Sequence, residues 1–236
     1  IDWLRSSCKT AWGKPVSPKT AHSYYTTLRT ALNEAVRENL IASNPWYRLE
    51  MTEKIKVPES KRDFLTIEEI KRMMATPFFN EQVRQAYLFS CFCGLRISDI
   101  RKLRWRDLSM SGGQWRASVV MTKTIHPVYI PLSSQAVKWL PERGDCTPDG
   151  LVFGGLPNEG NLCVNLKNWA EKAGVKKNVT FHTARHSCAV LLLTLGADIY
   201  TVSKILGHRS VRSTQVYAKI VDKKKDDAIA LVDNAF

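Results

Sequence analysis

The sequence is short of acid. Its 22 Asp and Glu residues stand against 35 Lys and Arg, a formal net charge of +13 over 236 residues. Such an excess argues for a polyanionic partner, nucleic acid before an anionic membrane surface. Long apolar runs are also missing. The longest candidate, Ala189–Leu195, falls far below the ~18 residues that a spanning helix needs. No basic-then-apolar signal peptide opens the chain. It starts in mid-pattern, with Ile1, Trp3 and Leu4 already apolar, and reads as part of something longer. None of the six cysteines (Cys8, Cys91, Cys93, Cys146, Cys163 and Cys188) belongs to a Cys-x-x-Cys pair, which removes the usual zinc frameworks. Several lie in apolar helical stretches, where cysteine acts as a small hydrophobe. A reduced, cytoplasmic setting is therefore expected rather than a disulfide framework. There is no internal repeat, no low-complexity tract and no carboxylate cluster suited to a metal, so neither metal nor cofactor is expected.

What is present reads as a small helical part, a basic linker and a larger, mostly helical part. Hydrophobic residues make up 44% of the chain, enough for a sizeable core. Helical spacing of Ala21, Tyr24, Tyr25, Leu28, Leu32, Ala35 and Val36 after Pro18 predicts a helix over 18–43, stopped by Asn44-Pro45. Residues 52–63, with Lys54, Lys56, Pro58, Lys61 and Arg62, read as the linker. Thr66 and Glu69 form a capping-box pattern at the start of the second part. Helices are expected at 81–93, 96–104, 162–173, 182–195, 198–206, 212–219 and 223–232, with a β-hairpin from 114–121 and 127–132. The fold class is thus mostly α with a small antiparallel β-sheet, over domains 1–51 and 64–236.

The chemistry-bearing residues lie mainly between 181 and 217. His182 and Arg185 are three apart and share a helical face. An apolar stretch follows, then Leu206-Gly207-His208, and Tyr217 stands nine residues beyond His208. Gly94-Leu95-Arg96-Ile97-Ser98-Asp99 forms a second cluster at a helix junction, and Lys123 sits in the turn of the expected hairpin. Two arginines can grip two non-bridging oxygens of a phosphodiester through paired, charge-assisted hydrogen bonds. Histidines can donate to the same phosphate or move protons near neutral pH. A lysine can protonate a leaving oxygen, and a tyrosine hydroxyl can attack phosphorus to give a covalent ester.

Each of these residues also has a plainer reading. A lone tyrosine is most often a core aromatic, but the spacing of Tyr217 from His208 favours a reacting group. Tyr24, Tyr25, Tyr47, Tyr87, Tyr129 and Tyr200 lack such company and read as packing. Arginines are by default surface ion-pair residues, but Arg96 and Arg185 adjoin apolar helices, where an unpaired cation calls for an anion. Lys123 competes with the solvated-turn reading, yet it is the only lysine between Lys102 and Lys138. His186, four after His182, could suggest a zinc pair, but no Glu intervenes and Arg185 would repel a cation, so a structural role is assigned. The seven tryptophans, Trp3 and Trp12 among them, read as core, and Lys223-Lys224-Lys225 as a solvated face.

These motifs resemble those of the tyrosine recombinases, the phage and transposon integrase superfamily. The resemblance spans the chain and is most specific over 64–219. Arg96 in Gly94-Leu95-Arg96-Ile97-Ser98, Lys123 of the hairpin, His182-Thr183-Ala184-Arg185-His186, Leu206-Gly207-His208 and Thr214-Gln215-Val216-Tyr217 carry it. The resemblance implies six catalytic residues, Arg96, Lys123, His182, Arg185, His208 and Tyr217, and strand exchange through a 3′-phosphotyrosine without a metal. It also implies a clamp on double-stranded DNA and a homo-tetramer on two DNA sites. That assembly would use a C-terminal exchange segment at 221–236, and DNA-bending accessory proteins could assist. The family often has Glu where this chain has Asp99, and residues 1–51 match only the later part of its core-binding domain. A type IB topoisomerase, sharing this chemistry, and a non-catalytic DNA-binding protein are the rival readings.

Overall fold

The computed structural model describes residues 2–56, 62–120 and 127–218. The chain divides into two compact units, Ile1–Lys61 and Arg62–Phe236. The second is mostly helical, with one three-stranded antiparallel sheet.

The first unit is built on α1 (Pro18–Arg37). Ser17 caps it, accepting from the Thr20 amide, and Pro18 occupies the first turn, where its missing N–H is harmless. The helix ends six residues earlier than the 18–43 expectation. Asn39 takes a left-handed conformation at φ 61°, and the Leu40 amide turns back to the Ala35 carbonyl at 2.9 Å. This is a closed C-terminal turn in which Asn plays the usual part of glycine. Asn44 instead begins a short 3-10 turn, Pro45–Arg48. Within this unit the Trp46 ring receives Arg29 and Lys54, whose cationic groups lie 4.8 and 4.6 Å from its centroid.

The second unit begins with α2 (Ile67–Ala75), started by the reciprocal Thr66–Glu69 capping box. Then come α3 (Glu81–Cys93) and the single turn α4 (Ile97–Ile100). The sheet is β1 (Leu108–Ser111), β2 (Gln114–Val120) and β3 (Pro127–Pro131), in that spatial order. The remaining helices are α5 (Ser134–Val137), α6 (Glu159–Lys172), α7 (Phe181–Thr194), α8 (Ile199–Ile205) and α9 (Arg212–Ala218). Residues 219–236, including the expected 223–232 helix and the Lys223–Lys225 run, lie outside the described residues, as do Lys123 and His126.

Two sequence expectations about secondary structure are corrected. The 96–104 helix shrinks to one turn because Leu103 and Arg104 pair with the 150–152 segment. The Val152 amide donates to the Leu103 carbonyl at 2.9 Å, and Arg104 bridges to Leu151. The sheet also gains a third strand. Gly112 and Gly113, both at positive φ, turn β1 back onto β2, a geometry that glycine pairs supply without strain.

Helices α3 and α7 form the centre of the core, and both are buried nearly all round. Tyr87, Phe89, Leu95, Ala184 and Trp169 are fully enclosed, and the Trp169 Nε1 donates to the Thr76 carbonyl. Several aromatic assignments are reversed. Trp3, Trp12, Tyr24, Tyr47, Tyr129 and Tyr200 are exposed rather than core. The Tyr200 ring instead carries the Lys204 ammonium 5.0 Å from its centroid.

Gly94 ends α3 at φ +74°, and a Cβ there would stand 2.6 Å from Leu206 Cδ2 and 3.3 Å from Cys188 Sγ. Left-handed strain and overpacking then act together, so Gly94→Ala should lower stability by roughly 2–4 kcal/mol. The thermal unfolding midpoint measures this, and an unchanged midpoint would contradict the close approach of α3, α7 and α8.

Candidate active site

Arg185 lies in the first half of α7, whose start is fixed by Thr180 and Thr183, each accepting from the other's amide. The Thr183 hydroxyl also donates to the Asn178 carbonyl at 3.0 Å. That cap sets the helix direction, and Arg185 is carried inward to 3% exposure. Its guanidinium is a fork between two chain segments. Nη1 donates to the Gly94 carbonyl at 2.7 Å and Nη2 to the Leu206 carbonyl at 2.5 Å. Among the described residues these two carbonyls use two of the five guanidinium N–H groups. Burial first, then the nearby Arg96 charge, pulls the Arg185 pKa down to about 10, with Tyr217, Cys188 and Asp99 acting against them.

Arg96 stands at the junction of α3 and α4. Its Nη1 lies 4.0 Å from Oδ2 of Asp99, which is fully buried. The Ser90 hydroxyl holds the preceding turn by donating to the Leu95 carbonyl at 2.8 Å. His208 follows α8 in the turn that Gly207 makes at φ 60°. Its Nδ1 is 2.8 Å from the Thr214 hydroxyl on α9. Burial holds the His208 pKa down at about 4, helped by the charges of Arg185, Arg96, Arg62 and His186. These interactions bring the α3–α4 junction, α7, the turn after α8, and α9 to one place.

Tyr217, one turn after Thr214 on α9, is 1% exposed. Its hydroxyl lies 2.5 Å from His186 Nδ1, and Arg62 Nη1 donates to it at 3.3 Å. The Arg62 guanidinium also covers the Tyr217 ring at 5.6 Å. Arg62 is placed by the segment that leads into α2. The Leu65 amide donates to the Ser187 hydroxyl at 2.7 Å, and Lys177 Nζ donates to the Phe64 carbonyl at 2.9 Å. Lys177 is itself paired with Glu69 at 2.6 Å. His182 sits on the exposed rim of α7, its ring stacked 6.5 Å from that of His186. The His186 pKa is pushed down to about 4 by burial, then by Arg62, His182 and Arg185.

Of the six expected site residues, Arg96, Arg185, His208 and Tyr217 are thus gathered. His182 lies at the rim, and Lys123 falls in the β2–β3 connection outside the described residues. His186, assigned a structural role from sequence, touches the Tyr217 hydroxyl directly. Arg62, assigned to the linker, does so as well. The signal for His186 was its position one turn after His182 on the same face. Nothing local marked Arg62. The arrangement offers a dense cluster of cations, neutral imidazoles and one phenol, suited to binding an anion and forming an ester with it.

Residues 63–224 match the Phage integrase family, and residues 1–56 match the Phage integrase SAM-like domain. The chain belongs to the phage integrase family. Within that family, a tyrosine recombinase of Thermosipho africanus is 31% identical over 232 residues, covering 92% of this chain and 77% of that protein. The tyrosine recombinase XerD of Pseudomonas putida is 27% identical, over 86% of this chain and 72% of its own length. Among solved structures, the XerH site-specific recombinase bound to its difH substrate has a TM-score of 0.68 at 18% identity. That match covers 97% of this chain and 68% of XerH. A lambda integrase dimer bound to a core site has a TM-score of 0.65 at 21% identity, covering 85% and 73%. These likenesses establish a tyrosine-recombinase fold for this family member.

Both histidines with lowered pKa are neutral in the folded protein near pH 6, whereas in the unfolded chain they titrate near 6.5. Between about pH 6.5 and 4 the unfolded state therefore binds more protons. The stability this neutrality contributes is complete above about pH 6.5 and is lost as pH falls towards 4. Thermal unfolding of the DNA-free protein should decline over that window. Replacing His186 and His208 with Asn should flatten the decline, and an equally steep curve in the double variant would count against it.

Proposed function

We propose that this integrase-family protein is a site-specific recombinase that breaks and rejoins DNA through Tyr217. The observation carrying the reading is Arg185, a buried cation whose described hydrogen-bond acceptors are both neutral carbonyls. It stands beside a second arginine and within electrostatic reach of the Tyr217 phenol. A buried charge of this kind is unfavourable by several kcal/mol unless an anion meets it. A backbone phosphate fits that need. Every relative named above is a recombinase or an integrase, which favours strand exchange over topoisomerase-type relaxation or passive binding.

In this mechanism the surplus of positive charge draws duplex DNA to the protein, largely through its backbone, so binding weakens steeply with salt. Arg96, Arg185, His182 and His208 hold the scissile phosphate and stabilise the charge that builds on its oxygens. The Tyr217 oxygen attacks phosphorus, forming a 3′-phosphotyrosine and releasing a 5′-oxygen, which Lys123 protonates. A 5′-hydroxyl from a partner strand then reverses the step and completes the exchange. The phosphoester energy is kept in the covalent link, so no ATP is consumed. Exchange between two duplexes needs four such sites, and we assign the subunit contacts to residues 221–236. Ala228, Ile229, Leu231 and Val232 supply their apolar character, in a head-to-tail contact that closes into a ring. DNA-bending accessory proteins fit the same scheme.

Incubation with nicked DNA that traps the intermediate, in EDTA, should give a covalent protein–DNA adduct. Tyr217→Phe should abolish the adduct while duplex binding is retained, and an adduct that persists in that variant would falsify the assignment. Lys123→Ala should slow cleavage by about 100-fold or more. A substrate whose leaving 5′-oxygen is replaced by sulfur should restore most of that rate, because a thiolate leaves without a proton. Equal slowing on both substrates would remove Lys123 from this role.

A further inference from the structure

Attack by Tyr217 forms a bond from its oxygen to phosphorus, and the phenolic proton must leave that oxygen. None of the roles assigned above receives it. Around the phenol, Arg62 Nη1 is a donor and cannot accept. His186 Nδ1, at 2.5 Å, is the one of the phenol's described hydrogen-bond partners that can accept, in the tautomer that carries its proton on Nε2. We infer that His186 Nδ1 takes the proton of Tyr217 as the phosphotyrosine bond forms, while Arg62 steadies the negative charge developing on the phenolic oxygen. The inference rests on the proposed role of Tyr217 and extends it.

The geometry favours this assignment in three ways. His186 is neutral in the free protein, so one ring nitrogen carries an open lone pair, and the short contact places Nδ1 at the phenol. Its position is fixed by the helix. His186 lies between Arg185, anchored at both ends of its fork, and Ser187, whose hydroxyl donates to the Thr183 carbonyl at 2.7 Å and accepts from Leu65. Arg62 is aimed by the same Leu65–Ser187 contact, so acceptor and donor reach the phenol from one rigid support.

The charges around His186 give the transfer a trigger. The groups facing it are Arg62 from the segment before α2, His182 and Arg185 from α7, His208 from the turn after α8, and Tyr217 from α9. Burial, then Arg62, His182 and Arg185, make the imidazole a poor base in the empty site. A phosphate arriving among these cations offsets their field, and His186 gains basicity when the phenol must ionise. The step balances. The P–O bond to Tyr217 forms and the P–O5′ bond breaks. The phenolic proton goes to His186, and Lys123 supplies the proton on O5′. In the reverse step the imidazolium returns its proton to the departing phenol.

The test is single-turnover adduct formation by the full chain on a nicked trapping substrate, followed across neutral and alkaline pH. His186→Asn keeps an acceptor near the Nδ1 position but cannot take a proton. Expected is duplex binding like that of the parent and cleavage slower by about 100-fold or more at neutral pH. Its rate should also climb about tenfold per pH unit, as expected when the phenol must lose its proton to solvent before it attacks. A more acidic difluorotyrosine at position 217 should rescue His186→Asn strongly and the parent little. The inference is overturned if His186→Asn cleaves at the parent rate or faster, keeps the parent pH profile, or gains nothing from fluorination. If His186→Asn does not fold, the fluorinated phenol in an otherwise unchanged chain decides, because a strong acceleration there means that no base assists. Tyr217→Phe separates the two layers. A surviving adduct removes the recombinase reading together with this one, whereas a lost adduct with unimpaired His186→Asn removes this one alone.

Discussion

A guanidinium taken into a protein interior must find acceptors, and where it finds them decides what else is held. Arg185 reaches from α7 to the carbonyl that ends α3 and to the carbonyl that ends α8. One side chain therefore fixes the junction that presents Arg96 and the turn that presents His208. The Thr180–Thr183 cap aims the helix that carries it, and the close approach at Gly94 lets α3 come near enough to be reached. Take away the fork and two buried carbonyls lose their partner, each an unfavourable change of about 1–3 kcal/mol. The polar centre is thus part of the architecture that presents it.

The same economy governs charge. Arg62, Arg96 and Arg185 crowd one region in which, among the described residues, Asp99 is the one buried carboxylate. The histidines respond by staying neutral. Like charges held this close repel one another, and an anion among them would offset that repulsion, which is the basis of the proposed phosphate site. His186 and His208, whose ionisation burial and the neighbouring arginines already shift, lie within this cluster.

Much of this was legible in the sequence because the information is local or ordered. The Thr66–Glu69 box, the Gly94-Leu95-Arg96 junction, the His182–Arg185 spacing and the distance from His208 to Tyr217 are short-range patterns. The helical class and the β2–β3 pairing followed from periodicity. What escaped is what tertiary structure decides. Arg62 reads as one more linker cation until Ser187 and Lys177 draw the chain back across α7. The helix expected at 96–104 gave way to pairing with residues 150–152. The Gly112-Gly113 turn was visible, but β1 holds too few residues for an alternation to stand out. Exposed rings such as Trp12 and Tyr129 defied the habit of assigning aromatics to the core, a habit that holds on average and fails at single positions.

Chain order has its own bearing on safety. In the proposed mechanism the anion-gripping residues are complete once His208 has been made, whereas the phenol arrives nine residues later, on α9. During synthesis the means of holding a phosphodiester thus precedes the means of cutting it. On that mechanism, a polypeptide interrupted in that interval carries the grip without the blade, and a ribosome that stalls there leaves a product unable to cut DNA.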